Sequence, residues 1–333
     1  GNVMNPRITR VIPSLFACAF LQAAIFASSA SAQSYPEKPV RVIVPFPAGG
    51  AADIVARQVI QGLSTGFGTQ FVVDNRAGAG GAIGAETVAR AVADGYTLLF
   101  ASSSALSINP HIGKVSYDAL RDFAPIALIG YAPNVLVVHP SVPARSVKEL
   151  VAVARAKPGA LNFGSNGAGT LSHLTGELFM QRAGIRMVHV PYKGASPAVV
   201  DTMAGNVSVL FAAYPSVSAQ ERAGRLRALA VTSAKRVEIA PNLPTVAEGA
   251  LPGFESAQWW GLYGPAGLQP AIVTRLNAET NKVLGSAELK KRLAADGAEP
   301  ARAGTPQQLA AYHRADFEKW AKVVKAAGIK AEY

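Results

Sequence analysis

A repeated order of strand, glycine turn and helix most limits what this chain can fold into. Residues 40–45 are an apolar run interrupted only by Arg41, residues 46–50 read Phe-Pro-Ala-Gly-Gly, and residues 52–63 carry apolar side chains at helical spacing. Residues 71–92 repeat this order, and residues 96–101 form a third apolar strand that ends in three serines. Such a pattern predicts an α/β fold with parallel strands, whose carboxyl ends are where open sheets bind ligands.

Residues 161–178, LNFGSNGAGTLSHLTGEL, contain the strongest functional signal. A short apolar strand breaks over glycines into a helix that begins at Thr170. Unpaired N–H groups and the positive end of the helix dipole would point into this turn, where Ser165, Asn166 and Thr170 add neutral donors. The pattern therefore favours an anion site. It is also typical of a purely structural turn in which Thr170 is only an N-cap.

The remaining pattern predicts two lobes. A chain of 333 residues suits two domains, and residues 123–140 are long, apolar and interrupted by glycine and proline, as expected of a strand that leaves one domain for another. We predict two α/β lobes of similar style, with their glycine turns facing each other across a cleft. Residues 33–131 and 253–333 would form lobe 1, and residues 132–252 lobe 2. Three helices within residues 270–327 are expected to cover the first sheet.

The first 32 residues resemble an export signal. Arg7 and Arg10 supply the charged region, residues 11–27 the apolar run, and residues 30–32 the small-residue cleavage site. We therefore expect a periplasmic protein cleaved after Ala32. The single cysteine, Cys18, lies in that signal, so disulfides and thiol chemistry are not expected in the mature chain.

Charge and motifs argue against several functional classes. The formal net charge is +11, but the basic residues are scattered instead of clustered with aromatic residues, so we expect no nucleic-acid partner. Gly78, Gly80 and Gly84 have the wrong spacing for a dinucleotide fingerprint, and no phosphate-binding or nucleophile-elbow motif occurs. The five histidines lack the helical spacing of metal ligands. We expect no cofactor, no metal and no catalytic residue.

Two ionisable residues leave their roles open. His173 lies one turn into the helix that follows the glycine turn, where it can contact a ligand or serve packing alone. Asp53 lies in the first turn after Gly50, where it can complement the helix dipole, hydrogen-bond loop amides or bind a ligand cation.

Six runs of the sequence together resemble a known family. They are YPEKPVRVIVPFPAGGAADIVAR (35–57), NRAGAGGAIGA (75–85), DGYTLLFAS (94–102), FGSNGAGTLSHLTGELF (163–179), VPYKGASPAV (190–199) and LRALAVTSAKR (226–236). In this order they resemble the periplasmic solute-binding receptors of the tripartite tricarboxylate transporter, also called Bug receptors. The resemblance implies a two-lobed periplasmic-binding-protein fold of type II, the Venus flytrap, with a ligand cleft between two doubly wound sheets. It also implies a receptor, not an enzyme, that captures a small carboxylate and delivers it to a membrane permease.

The resemblance also implies a set of ligand-binding residues. Those in the second lobe are the main cradle Ser165, Asn166, Gly167, Gly169 and Thr170, and the walls Tyr192 and Lys193, of which Lys193 can equally be solvated beyond the cleft. Those in the first lobe are the lip Phe46, Pro47, Gly49 and Gly50, then Ala79 and Gly80, and then Ser102 and Ser104. From their own positions in the sequence we add three candidates, His173, Asp53 and the turn residue Tyr214.

One position departs from the family pattern. Relatives carry an acidic residue just after the strand at residues 207–211, suited to a ligand ammonium, but Ala212 and Ala213 stand there in this chain. We therefore expect a carboxylate without an amino group, such as a dicarboxylate, a hydroxy acid or an aromatic acid. The partners expected are this ligand and the permease subunits, with the receptor itself monomeric. A receptor that serves a signalling partner, or an exported enzyme acting on a small organic acid, remains an alternative.

Overall fold

The computed structural model describes residues 1–2, 35–192 and 195–329. Its strands are β1 (Val40–Val44), β2 (Phe71–Asn75), β3 (Thr97–Ser102), β4 (Phe123–Val138), β5 (Asn162–Ser165), β6 (Val188–Pro191), β7 (Val209–Ala213), β8 (Arg227–Val231), β9 (Ala257–Pro265) and β10 (Glu299–Pro300). Its helices are α1 (Ala51–Phe67), α2 (Ala82–Ala89), α3 (Asn109–Ile112), α4 (Val147–Ala156), α5 (Leu171–Ala183), α6 (Ala195–Met203), α7 (Tyr214–Arg222), α8 (Val246–Gly249), α9 (Pro270–Gly285), α10 (Ala287–Ala295) and α11 (Pro306–Ala327). All of them lie in the compact unit that begins at Lys38.

The first half of the sheet has the predicted parallel arrangement. Strand β1 pairs in parallel with β2, where Val40 faces Phe71, and with β3, where Val42 faces Leu98. Strand β9 then pairs antiparallel with β3, Leu99 opposite Tyr263. The predicted order of strand, turn and helix is confirmed here, because the loops that follow β1, β2 and β3 come out at one edge of the sheet.

Strand β4 joins the two halves of the sheet. From Phe123 to Pro133 it pairs with β9, and from Asn134 to Val138 it pairs with β7 and β8. The apolar run therefore spans both halves of the sheet, and its passage from one domain to the next stays a prediction. The lobe boundaries at residues 131/132 and 252/253 stay a prediction.

The second half repeats the architecture of the first. Strand β5 lies parallel to both β6 and β7, and β7 lies antiparallel to β4. Helix α4 starts at Ser146, whose Oγ accepts a hydrogen bond from the Glu149 amide at 3.2 Å, as expected for a capped N-terminus. The loops after β5, β6 and β7 therefore also share one edge of their sheet.

Helix α11 is not confined to the first sheet. Leu309, near its start, packs in the core around β1, β3 and β9, whereas Trp320 and Val324 pack in the core around α4, α5 and β7. The expectation that the C-terminal helices cover the first sheet holds for α9, which packs against β4 and α1. For α11 it is incomplete, because its apolar stripe is long enough to reach both cores.

The N-terminal predictions fall outside this description. Residues 3–34, which include most of the expected export signal and its cleavage site, lie outside the described residues. Among the helices that are described, none has the length and apolar character needed to cross a membrane.

Candidate ligand-binding site

The loop between β5 and α5 has a backbone that depends on two glycines. Gly167 has φ 134° and Gly169 φ 75°, conformations that side chains with a Cβ rarely adopt. A Cβ on Gly167 would also lie 3.1 Å from the Tyr192 carbonyl oxygen, and one on Gly169 would lie 3.2 Å from Ile112 Cδ1. Both positions therefore require glycine, and we call the residues from Ser165 to Thr170 the cradle.

Side chains hold several cradle amides in place. The Asn166 amide donates to Ser172 Oγ at 2.8 Å, the Gly167 amide to Ser165 Oγ at 3.2 Å, and the Gly169 amide to His173 Nδ1 at 3.1 Å. The loop is thus stiffened from within before any ligand arrives. Its shape is set by hydroxyl and imidazole groups instead of by charged side chains.

The N-terminus of α5 keeps its anion-binding capacity. Thr170 occupies the N-cap with extended backbone, but its side chain makes no capping bond and donates instead to the Gly167 carbonyl at 2.7 Å. The N–H groups of the first turn have no intrahelical acceptor, and the helix dipole makes this end positive. Because the amides of Asn166, Gly167, Gly169 and Thr170 are already bonded within the loop, the donors left for an anion are the first-turn N–H groups of α5.

The stacked imidazole rings of His173 and His189 contact the cradle. The His173 and His189 rings lie 3.7 Å apart at 5°, and His189 Nε2 lies 2.7 Å from Ser165 Oγ. His173 accepts the Gly169 amide at Nδ1, so its neutral form carries the proton on Nε2, 3.6 Å from Glu177 Oε1. Burial, together with the nearby His173, lowers the pKa of His189 to about 4. Both histidines therefore help to fix the conformation of the cradle, His189 through the Ser165 hydroxyl and His173 through the Gly169 amide.

The structure places the two predicted tyrosines beside the same core. Tyr192 and Tyr214 both pack against the cluster around β7, α6 and α7. The Tyr192 hydroxyl donates to Asp201 Oδ2 at 2.7 Å, and burial together with this carboxylate raises the pKa of Tyr192 to about 12. Its ring, not its hydroxyl, is the part left to line a cleft. Lys193, predicted beside it, lies outside the described residues.

Asp53 organises the first-lobe lip. Its carboxylate accepts hydrogen bonds from the Gly49 amide, Arg57 Nε and Asn75 Nδ2, each at 2.9 Å, and Asn75 Nδ2 also donates to the Phe46 carbonyl. Burial alone would raise the pKa of Asp53, but these hydrogen bonds outweigh it and lower the pKa. Both carboxylate oxygens are engaged in this way. Gly49, Gly50 and Pro47 remain exposed at the loop surface.

Asn109 joins the second and third loops of this lobe. Its Nδ2 lies 3.0 Å from the Ala79 carbonyl and 2.8 Å from that of Gly80, in a short 3₁₀ turn. Sequence reasoning missed Asn109, because nothing local to it indicates a partner some thirty residues earlier.

The three serines after β3 form less of a loop than predicted. Ser102 ends the strand, and Ser104 begins a π-helical turn that runs to Ile108. Ser102 is fully buried and its Oγ accepts from the Ala105 amide at 3.3 Å, while Ser104 is nearly buried. The expected small polar loop is thus a tight helical turn, a feature that often marks functional sites.

The segment that follows β3 reaches the cradle. Ile112, which follows the π-helical turn, packs with α5 residues Leu171 and Leu174 and faces Gly169. Ala213, where relatives were expected to carry an acid, ends β7 opposite Asn134. Among the described residues, no group of histidine, cysteine or acidic side chains could hold a metal ion.

Comparison with known proteins adds a family. A family model described as "Tripartite tricarboxylate transporter family receptor" matches residues 55–329. The chain is 40% identical over 316 residues to protein BugT of Bordetella pertussis, covering 93% of this chain and 96% of that protein. A solved R. palustris structure with adipate is 38% identical with a TM-score of 0.80, covering 89% of this chain and 99% of that one. MatC from Rhodopseudomonas palustris with bound malate is 29% identical with a TM-score of 0.74, covering 87% and 100%.

Proposed function

The chain belongs to the tripartite tricarboxylate transporter family of solute-binding receptors, and we propose that it captures a small carboxylate without an amino group for delivery to a membrane permease. Cleavage after Ala32 and function in the periplasm are part of this proposal. The family relationship supports a small-molecule ligand and a transporter partner. It also supports a binding role over catalysis.

The cradle at the N-terminus of α5 carries the proposal. Its glycines let the chain turn into the helix, whose first-turn N–H groups lack an intrahelical acceptor, and the side chains around it are neutral hydroxyl, amide and imidazole groups. Neutral donors that are already oriented hold a carboxylate without the desolvation cost of burying a counter-ion. Release to a permease then remains possible, because no strong buried ion pair must be broken.

The expected ligand class rests on two further observations. Two structures similar to this chain contain adipate and malate, which are both dicarboxylates. In this chain Ala212 and Ala213 end β7, so this position offers no carboxylate for a ligand ammonium. We propose aliphatic dicarboxylates and hydroxy acids first, and aromatic acids second.

A thermal-shift panel followed by calorimetry tests the proposal. A ligand that binds only the folded state raises unfolding free energy by about 2.7 kcal/mol at one hundred times its Kd. We expect this with a subset of dicarboxylates or hydroxy acids and not with glutamate or aspartate. Binding of amino acids alone would overturn the ligand class, and turnover of a bound acid would overturn the receptor role.

A matched pair of glycine variants tests the cradle itself. Gly169 has φ 75°, and Gly159, in the turn before β5, has φ 78° with open space around it. Alanine at either position costs about 1–2 kcal/mol of backbone strain. Only Gly169→Ala should also weaken binding of the carboxylate found in the panel. Equal affinities of the two variants would mean that the cradle is only a turn.

A further inference from the structure

Four buried polar residues meet where the chain passes between the two halves of the sheet. Thr175 lies on α5, Thr232 follows β8, Ser256 precedes β9, and Asn134 lies on β4. The first three are fully buried and Asn134 is 6% exposed. We call these four residues the crossing cluster.

Hydrogen bonds join the four residues to one another. The hydroxyls of Thr175 and Ser256 lie 2.6 Å apart. Thr232 Oγ1 accepts a hydrogen bond from the backbone N–H of Asn134 at 3.1 Å. It also lies within hydrogen-bond distance of the backbone carbonyls of Asn134 and Ser256. The Ser256 amide also donates to the Thr232 carbonyl at 2.8 Å. The cluster is therefore a continuous network and not a set of isolated pairs.

The network sits at the two strand crossings. Pro133 still pairs with Ala257 of β9, whereas Asn134 already pairs with Ala213 of β7. Ser256 is the residue immediately before β9 begins. Relative movement of two lobes requires backbone rotation in a few residues of such crossing segments.

Helix α5 connects this network to the cradle. Thr175 lies five residues after Thr170, about 7.5 Å along the helix axis. Its Oγ1 donates to the Leu171 carbonyl at 2.7 Å, so the Ser256 hydroxyl supplies the proton of the bond between the two hydroxyls. One continuous path of hydrogen bonds thus runs from Ser256 to the first residue of α5.

We propose that Thr175 and Ser256 are positioning residues that couple movement of the crossing segments to the orientation of the cradle. What the cradle holds rests on the proposed function, whereas the coupling itself does not. Loss of the bond would leave the N-terminal half of α5 freer to shift against the crossing. Arg182, at the other end of α5, still donates to the Pro252 carbonyl, and the apolar side chains of the shared core pack without fixed direction.

Hydrogen exchange of the ligand-free protein tests the coupling directly. Thr175→Val and Ser256→Ala should raise exchange of the cradle amides, residues 166–170, and of Leu171 at the start of α5, by about three- to tenfold, the effect of one hydrogen bond. Thr175→Ser should restore wild-type exchange. Thr202→Val is the matched control, because Thr202 is also fully buried and donates to the carbonyl four residues before it, on α6.

Calorimetry with adipate and with malate completes the test. For a probe that the wild type binds, Thr175→Val should lower affinity by about three- to tenfold, while Thr202→Val leaves it unchanged. Cradle exchange that rises no more in Thr175→Val than in the control overturns the coupling, as does unchanged affinity for a probe that binds. A wild type that binds neither probe, but shows the exchange effect, would count against the proposed ligand class and in favour of the coupling.

Discussion

Protonation of His189 should make the protein less stable in mild acid, and the size of the effect can be worked out. The pKa of His189 is lowered from 6.5 to about 4 in the folded state, first by burial and then by His173. As the pH falls below 6.5, the unfolded chain takes up a proton that the folded chain refuses until about pH 4. The unfolding free energy therefore falls with pH across this window.

The full gap corresponds to about 3 kcal/mol, at 1.36 kcal/mol for each pH unit. Between pH 7 and pH 5 about 1.8 kcal/mol of this would be lost if solvent had no influence. The ring is only partly buried, so screening reduces the loss, and we expect about 1 kcal/mol.

Urea denaturation of the wild type and of His189→Gln at pH 7 and pH 5 measures this loss. Other histidines with lowered pKa values, His111 and His313, contribute equally to both proteins, so the difference between the two isolates His189. His139→Gln is the control, because His139 bonds Ser141 in an exposed turn away from the cradle. If the wild type and His189→Gln lose the same free energy between the two pH values, the imidazole pair does not hold His189 neutral.

Three further substitutions test the packing and the lip. Asp53→Asn removes the charge that binds Arg57 and should lower the unfolding free energy, measured in urea, by about 1–3 kcal/mol. Faster proteolysis of the lip is a second readout. Unchanged stability would contradict the role given to Asp53. Trp320→Ala leaves a cavity beside α11 and should lower the unfolding free energy by about 3–5 kcal/mol. A loss below about 1 kcal/mol would mean that α11 does not depend on the core around α4, α5 and β7. Thr305→Ala removes the capping box of α11 and should lower the melting temperature through a loss of about 0.5–2 kcal/mol, with Thr65→Ala on the exposed face of α1 as its control.

The local elements of this fold were readable from the sequence, with two informative failures. Strands β1, β2, β3 and β5, and the helices after β1, β2 and β5, follow from apolar spacing interrupted by glycine, whereas the helical turn after β3 was not predicted. Strand β9 could not be predicted in this way, because its sequence AQWWGLYGP does not alternate apolar and polar residues and contains glycines and a proline. It is nonetheless a central strand, since it lies between β3 and β4 and is buried over nearly its whole length. A strand covered on both faces leaves no periodic signal.

The candidate site, too, was only partly predictable from the sequence. The glycine turn at Gly167 and Gly169 was predicted from its position between a strand and a helix. The roles of His189 and Asn109 were not, because each binds a cradle or loop residue that is distant in the chain. Ser165 and His189 are 24 residues apart, and Asn109 and Ala79 are 30 apart. Single-sequence patterns report neighbours within a few residues only.

What the sequence alone determined is the order of strand, turn and helix, and with it the edge of the sheet at which the polar loops collect. This follows from short-range rules, because side-chain spacing sets the element and parallel strands bring their carboxyl ends together. Tertiary structure decided which donors stay available, where Thr170 directs its hydroxyl, and how Asn134 meets Thr232 across 98 residues. These features depend on buried polar groups finding partners, and a partner is available only once distant segments have packed together.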